Sequence, residues 1–135
     1  MTEGQSGVRP GLIGEAEMVV TEVVSAAHLG SGSVSVFATP ALIILMEQAT
    51  VAAVDPYLPP GQVSVGVSVD IAHLAATPLG MKVKAWAEVI DMDERRLTLQ
   101  VEAYDEVEKI GEGLVHRVIV DRERFIEHVA RKARA

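Results

Sequence analysis

A chain of 135 residues with 49% apolar content has the size of one domain and too much hydrophobic material to remain disordered. Aromatic residues supply only 4%, so Val, Ile, Leu, Met and Ala must build the core, and the absence of cysteine excludes disulfides, thiolate metal sites and cysteine nucleophiles. A formal net charge of −7 argues against a general nucleic-acid binder, while a few local cations would still serve a small anionic ligand.

Residues 1–14 read as a flexible arm, rich in Gly and lacking the apolar run of an export signal, so a cytoplasmic location is expected. Residues 15–24, rich in Val and Met, read as a first strand. The Gly/Ser-rich stretch His28 to Ser35 reads as a flexible loop and a candidate lid. Thr39 then reads as an N-cap, with Pro40 at the first helical position, where no backbone donor is needed. Ala41 to Val54 supplies a helix with almost no polar face, stopped by Asp55-Pro56 and Pro59-Pro60-Gly61. Such a helix is expected to be buried under a sheet, and Pro40 to Val54 is too short to span a bilayer. Strands follow at 63–73, 83–89, 97–103 and about 110–120, with alternating apolar and polar residues that mark a half-buried antiparallel sheet. Asp91 to Arg96 and Asp105 to Lys109 are polar connections of hairpin length, and Asp121 is read as the cap of a short amphipathic helix. The expected fold is α+β: one domain over 15–135, an antiparallel sheet wrapped around one long buried helix, with a short C-terminal helix.

Glu47 is the only formally charged residue between Glu22 and Asp55. Its helical neighbours Ile43, Ile44, Thr50 and Val51 are mostly apolar, so burial there costs several kcal/mol unless the carboxyl is paired or protonated. Desolvation would tune it toward general-base work; the plainer reading is a carboxyl that only satisfies a nearby hydrogen bond. Thr39 and the free amides of the first helical turn could face an oxyanion, although an N-cap Thr is usually structural. Eight residues separate Thr39 from Glu47, which is about 80° around the axis and about 12 Å along it, too far for direct proton transfer. His73 shares the face of Val63, Val65, Val67, Val69 and Ile71 if alternation runs without a bulge, which would bring it to the helix and to Glu47. A lone His on such a face is more often a core residue than a catalyst; a buried acid in need of a partner raises its standing. Arg117, in an apolar strand without a local partner, is a candidate for an anionic ligand. His28 and His116 rank low, four scattered histidines lack metal-ligand spacing, and Arg95-Arg96 reads as a solvated hairpin tip.

Several segments together carry a resemblance: Phe37-Ala38-Thr39, Leu45-Met46-Glu47, Asp55-Pro56-Tyr57-Leu58, His73-Leu74-Ala75-Ala76-Thr77-Pro78, Gly111-Glu112-Gly113 and His116-Arg117-Val118-Ile119. In order and spacing, over about residues 12 to 130, the chain resembles the fluoroacetyl-CoA thioesterase family of hot-dog proteins. The resemblance implies a hot-dog fold, hydrolysis of an acyl-CoA thioester without a cofactor or metal, and a homodimer or dimer of dimers. It implies catalytic roles for Thr39, Glu47 and His73, a backbone amide of Gly66 at the thioester carbonyl, and Arg117 near the acyl pocket. Members specialised for fluoroacetyl groups carry a Phe-containing lid before the Phe-Ala-Thr segment. Gly30 to Ser35 is shorter and has no aromatic residue, which implies a broader short- or medium-chain acyl substrate. Two rivals remain at this stage: a hot-dog hydratase or dehydratase, and a non-catalytic acyl-CoA binding module.

Overall fold

The structure, a computed structural model, describes residues 6–135. Five strands form one antiparallel sheet: β1 (Ile13–Val19), β2 (Gln62–His73), β3 (Lys82–Asp93), β4 (Arg96–Tyr104) and β5 (Lys109–Asp121). Their order across the sheet is β1-β3-β4-β5-β2, so β1 and β2 are the edges. Three helices accompany it: α1 (Ala26–Leu29), α2 (Thr39–Val54) and α3 (Arg122–Ala130). This is the hot-dog arrangement, with the sheet as the bun and α2 as the filling.

The core follows from two periodicities. Along β3 and β4, Val83, Ala85, Ala87, Val89, Leu97, Leu99, Val101 and Ala103 are buried at every second position. Along α2, Ala41, Leu42, Leu45, Met46, Ala49, Ala53 and Val54 are buried at helical spacing against that face. Alanines on both sides allow a close approach. At Gly14 even a methyl group is too much: a Cβ there would run into the α2 backbone at Ala49 and Ala53. The opposite flank of α2, with Ile44, Gln48 and Val51, is exposed, so the helix is not buried all round as its composition suggests.

Strand β2 holds the feature that matters most for the site. Gly66 pairs with Arg117, but Ser68 pairs with His116, so Val67 is the extra residue of a β-bulge. A one-residue insertion exchanges the faces of a strand. Before the bulge, Ser64 is buried and Gly66 faces α2; after it, Val69 and Ile71 pack on the core and His73 follows them. The expected common face for Val63, Val65, Val67 and His73 is therefore corrected. The first three valines point away from the helix, and Val67 is 54% exposed.

Other boundaries shift as well. The arm is not loose over the described part of 1–14: Val8 and Leu12 are buried, and the Gly11 amide donates to Val89 O at 2.8 Å. Residues 1–5 of that arm lie outside the described residues. Strand β1 ends at Val19, and residues 22–29 form a 3₁₀ turn and the short α1. Asp121 precedes α3 without a capping hydrogen bond, since its carboxylate turns to Arg95 at 3.4 Å. No helix among the described residues is long and apolar enough to cross a membrane.

Candidate active site

Two backbone hydrogen bonds prepare the first cluster. The Ala38 amide donates to Val24 O at 3.0 Å, and the Phe37 amide donates to Thr77 O at 2.9 Å, which ties the entry of α2 to the exit of β2. Ala38, not Thr39, occupies the cap position, and its alanine side chain offers no capping bond. Thr39 is instead the first helical residue, and its hydroxyl Oγ1 lies 2.7 Å from Nδ1 of His73. Partial burial pushes the His73 pKa down, with the Ala75 backbone pulling the other way, so the ring favours its neutral form. The second ring nitrogen, Nε2, is buried and has no hydrogen-bond partner among the described residues. Beside the pair lies a cavity of about 330 Å³ lined by Ser31, Val36, Phe37, Leu74 and Ala76.

The second cluster lies along the exposed flank of α2. Glu47 keeps 37% of its side chain exposed, so the burial expected from sequence does not arise within one chain. Its partner is Arg117, at 3.3 Å from Nη1 to Oε2, rather than the expected His73. A side chain at Gly66 would collide with the Glu47 carboxylate, so glycine is what lets the acid lie against β2.

Arg117 is only 5% exposed and has partners, all far away in sequence. Its Nε donates to Ser64 Oγ at 2.8 Å and Nη2 to Ser64 O at 2.9 Å; Nη1 donates to Thr50 Oγ1 as well as to Glu47, each at 3.3 Å. Ser64 Oγ donates to Asp55 Oδ1 at 2.6 Å. Burial pulls the guanidinium pKa down, and the carboxylates of Asp55 and Glu47 push it back. Arg117 thus has no local partner, as read from the sequence, but its charge already lies between two acids brought in from afar. Ser64, Thr50 and Asp55 were missed by sequence reasoning. A serine inside a run of valines, two residues before a glycine, was the available signal.

The two clusters do not meet within the chain. Thr39 and His73 line one cavity, while Glu47 and Arg117 line another, also of about 330 Å³, with Ile44, Gln48 and Val51. His28 is exposed, His116 lies across from Ser68 at the bulge, and Arg95-Arg96 is an exposed hairpin tip. Among the described residues no group of three or more His, Asp or Glu is arranged to hold a metal ion.

A histidine touching a hydroxyl, and a carboxylate touching a buried arginine, on one hot-dog scaffold, fit one class of protein: a hot-dog thioesterase. Solved structures agree with this class. A protein of the thioesterase superfamily from Thermus thermophilus is 29% identical, with a TM-score of 0.86 over 96% of both chains. The fluoroacetyl-CoA thioesterase of Streptantibioticus cattleyicolor is 42% identical over 100 residues, 74% of this chain and 72% of the relative. A structure of a fluoroacetyl-CoA thioesterase variant in complex with acetyl-CoA superposes with a TM-score of 0.86 at 36% identity, covering 93% of this chain and 98% of the other. Residues 19–123 match the family of fluoroacetyl-CoA-specific thioesterases, and the chain belongs to that family. Family membership carries with it the hydrolysis of an acyl-CoA thioester.

Proposed function

We propose that this protein hydrolyses short- or medium-chain acyl-CoA thioesters as a homodimer, with Thr39 as nucleophile, His73 as its base and Glu47 as the base for deacylation. The 2.7 Å contact from Thr39 to His73 carries the reading. Thr39 Oγ attacks the thioester carbonyl carbon while its proton passes to Nδ1 of His73. The C–S bond breaks, and His73 returns the proton to the leaving thiolate, giving an acyl-Thr39 ester and free CoA. Glu47 then takes a proton from water, whose oxygen attacks the ester; the acid leaves and Thr39 recovers its proton. Amides of the first turn of α2 and of Gly66 serve as donors to the oxyanion.

The second subunit is part of this reading. Glu47 lies about 12 Å along α2 from Thr39, so one chain does not join them. β2 is a twelve-residue edge strand with no strand on its outer side among the described residues. Beside it, Ile44 on α2 is 53% exposed and Val51 38%. An uncovered strand edge next to an uncovered apolar helix flank invites a second copy across a two-fold axis. Glu47, Gly66 and Arg117 of one chain would then complete Thr39 and His73 of the other. The absence of an aromatic residue from Gly30 to Ser35 supports a substrate range wider than fluoroacetyl, and a cytoplasmic location fits CoA chemistry.

Mixing purified Thr39→Ala and Glu47→Gln proteins under exchange conditions tests the reading. Each alone should show almost no steady-state release of thiol from acetyl-, butyryl- or hexanoyl-CoA, Glu47→Gln after at most one equivalent per site. The mixture should recover roughly a quarter of the wild-type rate, because half the dimers are mixed and each holds one whole site. Absence of recovery despite formation of mixed dimers would overturn the shared site. Absence of thiol release by the wild type would overturn the substrate assignment.

A further inference from the structure

We propose that Ser64, with Asp55 behind it, is a positioning residue that locks the Arg117 guanidinium and through it orients the Glu47 carboxylate. The inference rests on the assignment of Glu47 as a working carboxylate.

Hydrogen-bond polarity leaves the network one arrangement. A guanidinium only donates and a carboxylate only accepts, so whatever joins them must do both. Ser64 Oγ has one proton, and it goes to Asp55 Oδ1 at 2.6 Å. The hydroxyl's lone pairs are then left for Arg117 Nε at 2.8 Å. Thr50, one helical turn after Glu47, repeats the logic: it donates to the Glu47 backbone carbonyl at 2.6 Å and accepts from Arg117 Nη1 at 3.3 Å. Each hydroxyl orients the cation by facing an acceptor on its other side.

The distances also rank the bonds. Arg117 is held tightly at the Ser64 end, at 2.8 and 2.9 Å, and loosely at the Glu47 end, at 3.3 Å. An anchored cation with a slack contact to the acid fixes where the carboxylate sits while leaving one of its oxygens without a bond to Arg117. Asp55 has a second effect: it supplies negative charge on the far side of the guanidinium, so Glu47 does not neutralise Arg117 alone. Ser64 reaches this position only because the bulge at Val67 lies after it; without the parity change, either Ser64 or His73 would face outward.

The test compares Ser64→Ala, Ser64→Thr and Asp55→Asn with the wild type. Ser64→Ala should lower kcat by about tenfold to a hundredfold, the range for a catalytic group moved by an ångström or less, with KM changed by no more than about twofold. Ser64→Thr keeps the hydroxyl and should restore kcat, and Asp55→Asn should fall between. A second readout needs no substrate: the Arg117 Nε–H resonance, protected from exchange by Ser64, should be visible by NMR in the wild type and in Ser64→Thr and should vanish in Ser64→Ala. A wild-type kcat in Ser64→Ala, an Nε–H signal that persists there, or a loss that Ser64→Thr does not repair would overturn the proposal. Glu47→Gln assayed in parallel separates the two ideas. Full activity in that variant removes the role of Glu47, while the Nε–H signal still decides whether Ser64 holds Arg117.

Discussion

The two halves of α2 treat polar groups in opposite ways. At the N-terminal end, Thr39 and His73 form a pair that burial keeps toward neutrality, with one ring nitrogen unpartnered among the described residues. Two turns later, Glu47 belongs to a charged network in which Arg117 bonds to Ser64, Thr50 and Glu47 and Asp55 stands behind Ser64. The base role proposed for His73 needs an environment that discourages its charge, and partial burial supplies one. A carboxylate needs a cation that stays in place, and a buried arginine stays only if nearly all its donors are used. Under the proposed mechanism, the first end carries its chemistry at little structural expense, and the second rests on a network the fold depends on.

Thr39→Ala should give the largest effect and the clearest asymmetry. We expect thiol release from acyl-CoA to fall by about a thousandfold or more, as when other nucleophiles of acyl transfer are removed. Chemical unfolding should move by no more than about 1 kcal/mol, since one hydrogen bond is lost from an exposed residue. Arg117→Met reverses the pattern. It leaves Ser64 and the acids Asp55 and Glu47 without their cation, so stability should drop by about 3–5 kcal/mol along with activity. Urea titrations of both variants, read beside their kcat values, would break the comparison if Thr39→Ala proved the less stable of the two.

Gly66→Ala is the intermediate case. The added methyl group meets the Glu47 carboxylate, the end of a flexible side chain, and Arg117 Nη1. Glu47 should swing outward at a stability cost of about 1–3 kcal/mol, and deacylation should slow more than acylation. A burst of thiol followed by a slow steady state would mark this outcome. Uniform slowing of both phases would mean that the methyl group disturbs the Gly66 amide at the oxyanion more than it displaces Glu47.

What the sequence displayed, and what it hid, follows the same division. β3 and β4 were legible because Val83 to Val89 and Leu97 to Ala103 alternate without interruption and bury every second side chain. Helix α2 was legible from Pro40 and an apolar run. β2 misled because its valines alternate through a bulge that the alternation itself does not encode: Val67 is as apolar as Val69, and only Gly66 hints at the change of face. Glu47 stands out in the sequence as the one charge in an apolar helix, but its burial is less than that implies, because composition does not distinguish a helix covered by its own chain from one with a flank left open. Its partner was misassigned for a related reason: Arg117 lies seventy residues away, and no local pattern links the two. Thr39 read as a cap because threonine is a favoured capping residue, and nothing local in the sequence shows that the backbone turns helical at Thr39 itself, with Ala38 at the cap.

The smallest effect concerns pH, and it bears on the N-terminal end alone. Burial lowers the His73 pKa below its ordinary 6.5. In the unfolded chain the same ring takes up a proton near 6.5, so between that value and the lowered one the unfolded state binds more protons than the folded state. Stability from this group is therefore complete above 6.5 and is lost as pH falls through that window toward the folded value. The same displacement keeps the ring a base at lower pH, so the acid limb of kcat/KM should lie below 6.5 if His73 governs acylation. His73→Asn removes the titration while keeping a polar side chain. Urea midpoints of wild type and His73→Asn, measured from about pH 5 to about pH 8, should run parallel at the upper end and converge below 6.5 as the wild type loses its advantage. A constant difference across that range would mean that folding leaves the ring's proton affinity unchanged, and the neutral pair at the head of α2 would then owe its state to the bound substrate rather than to the fold.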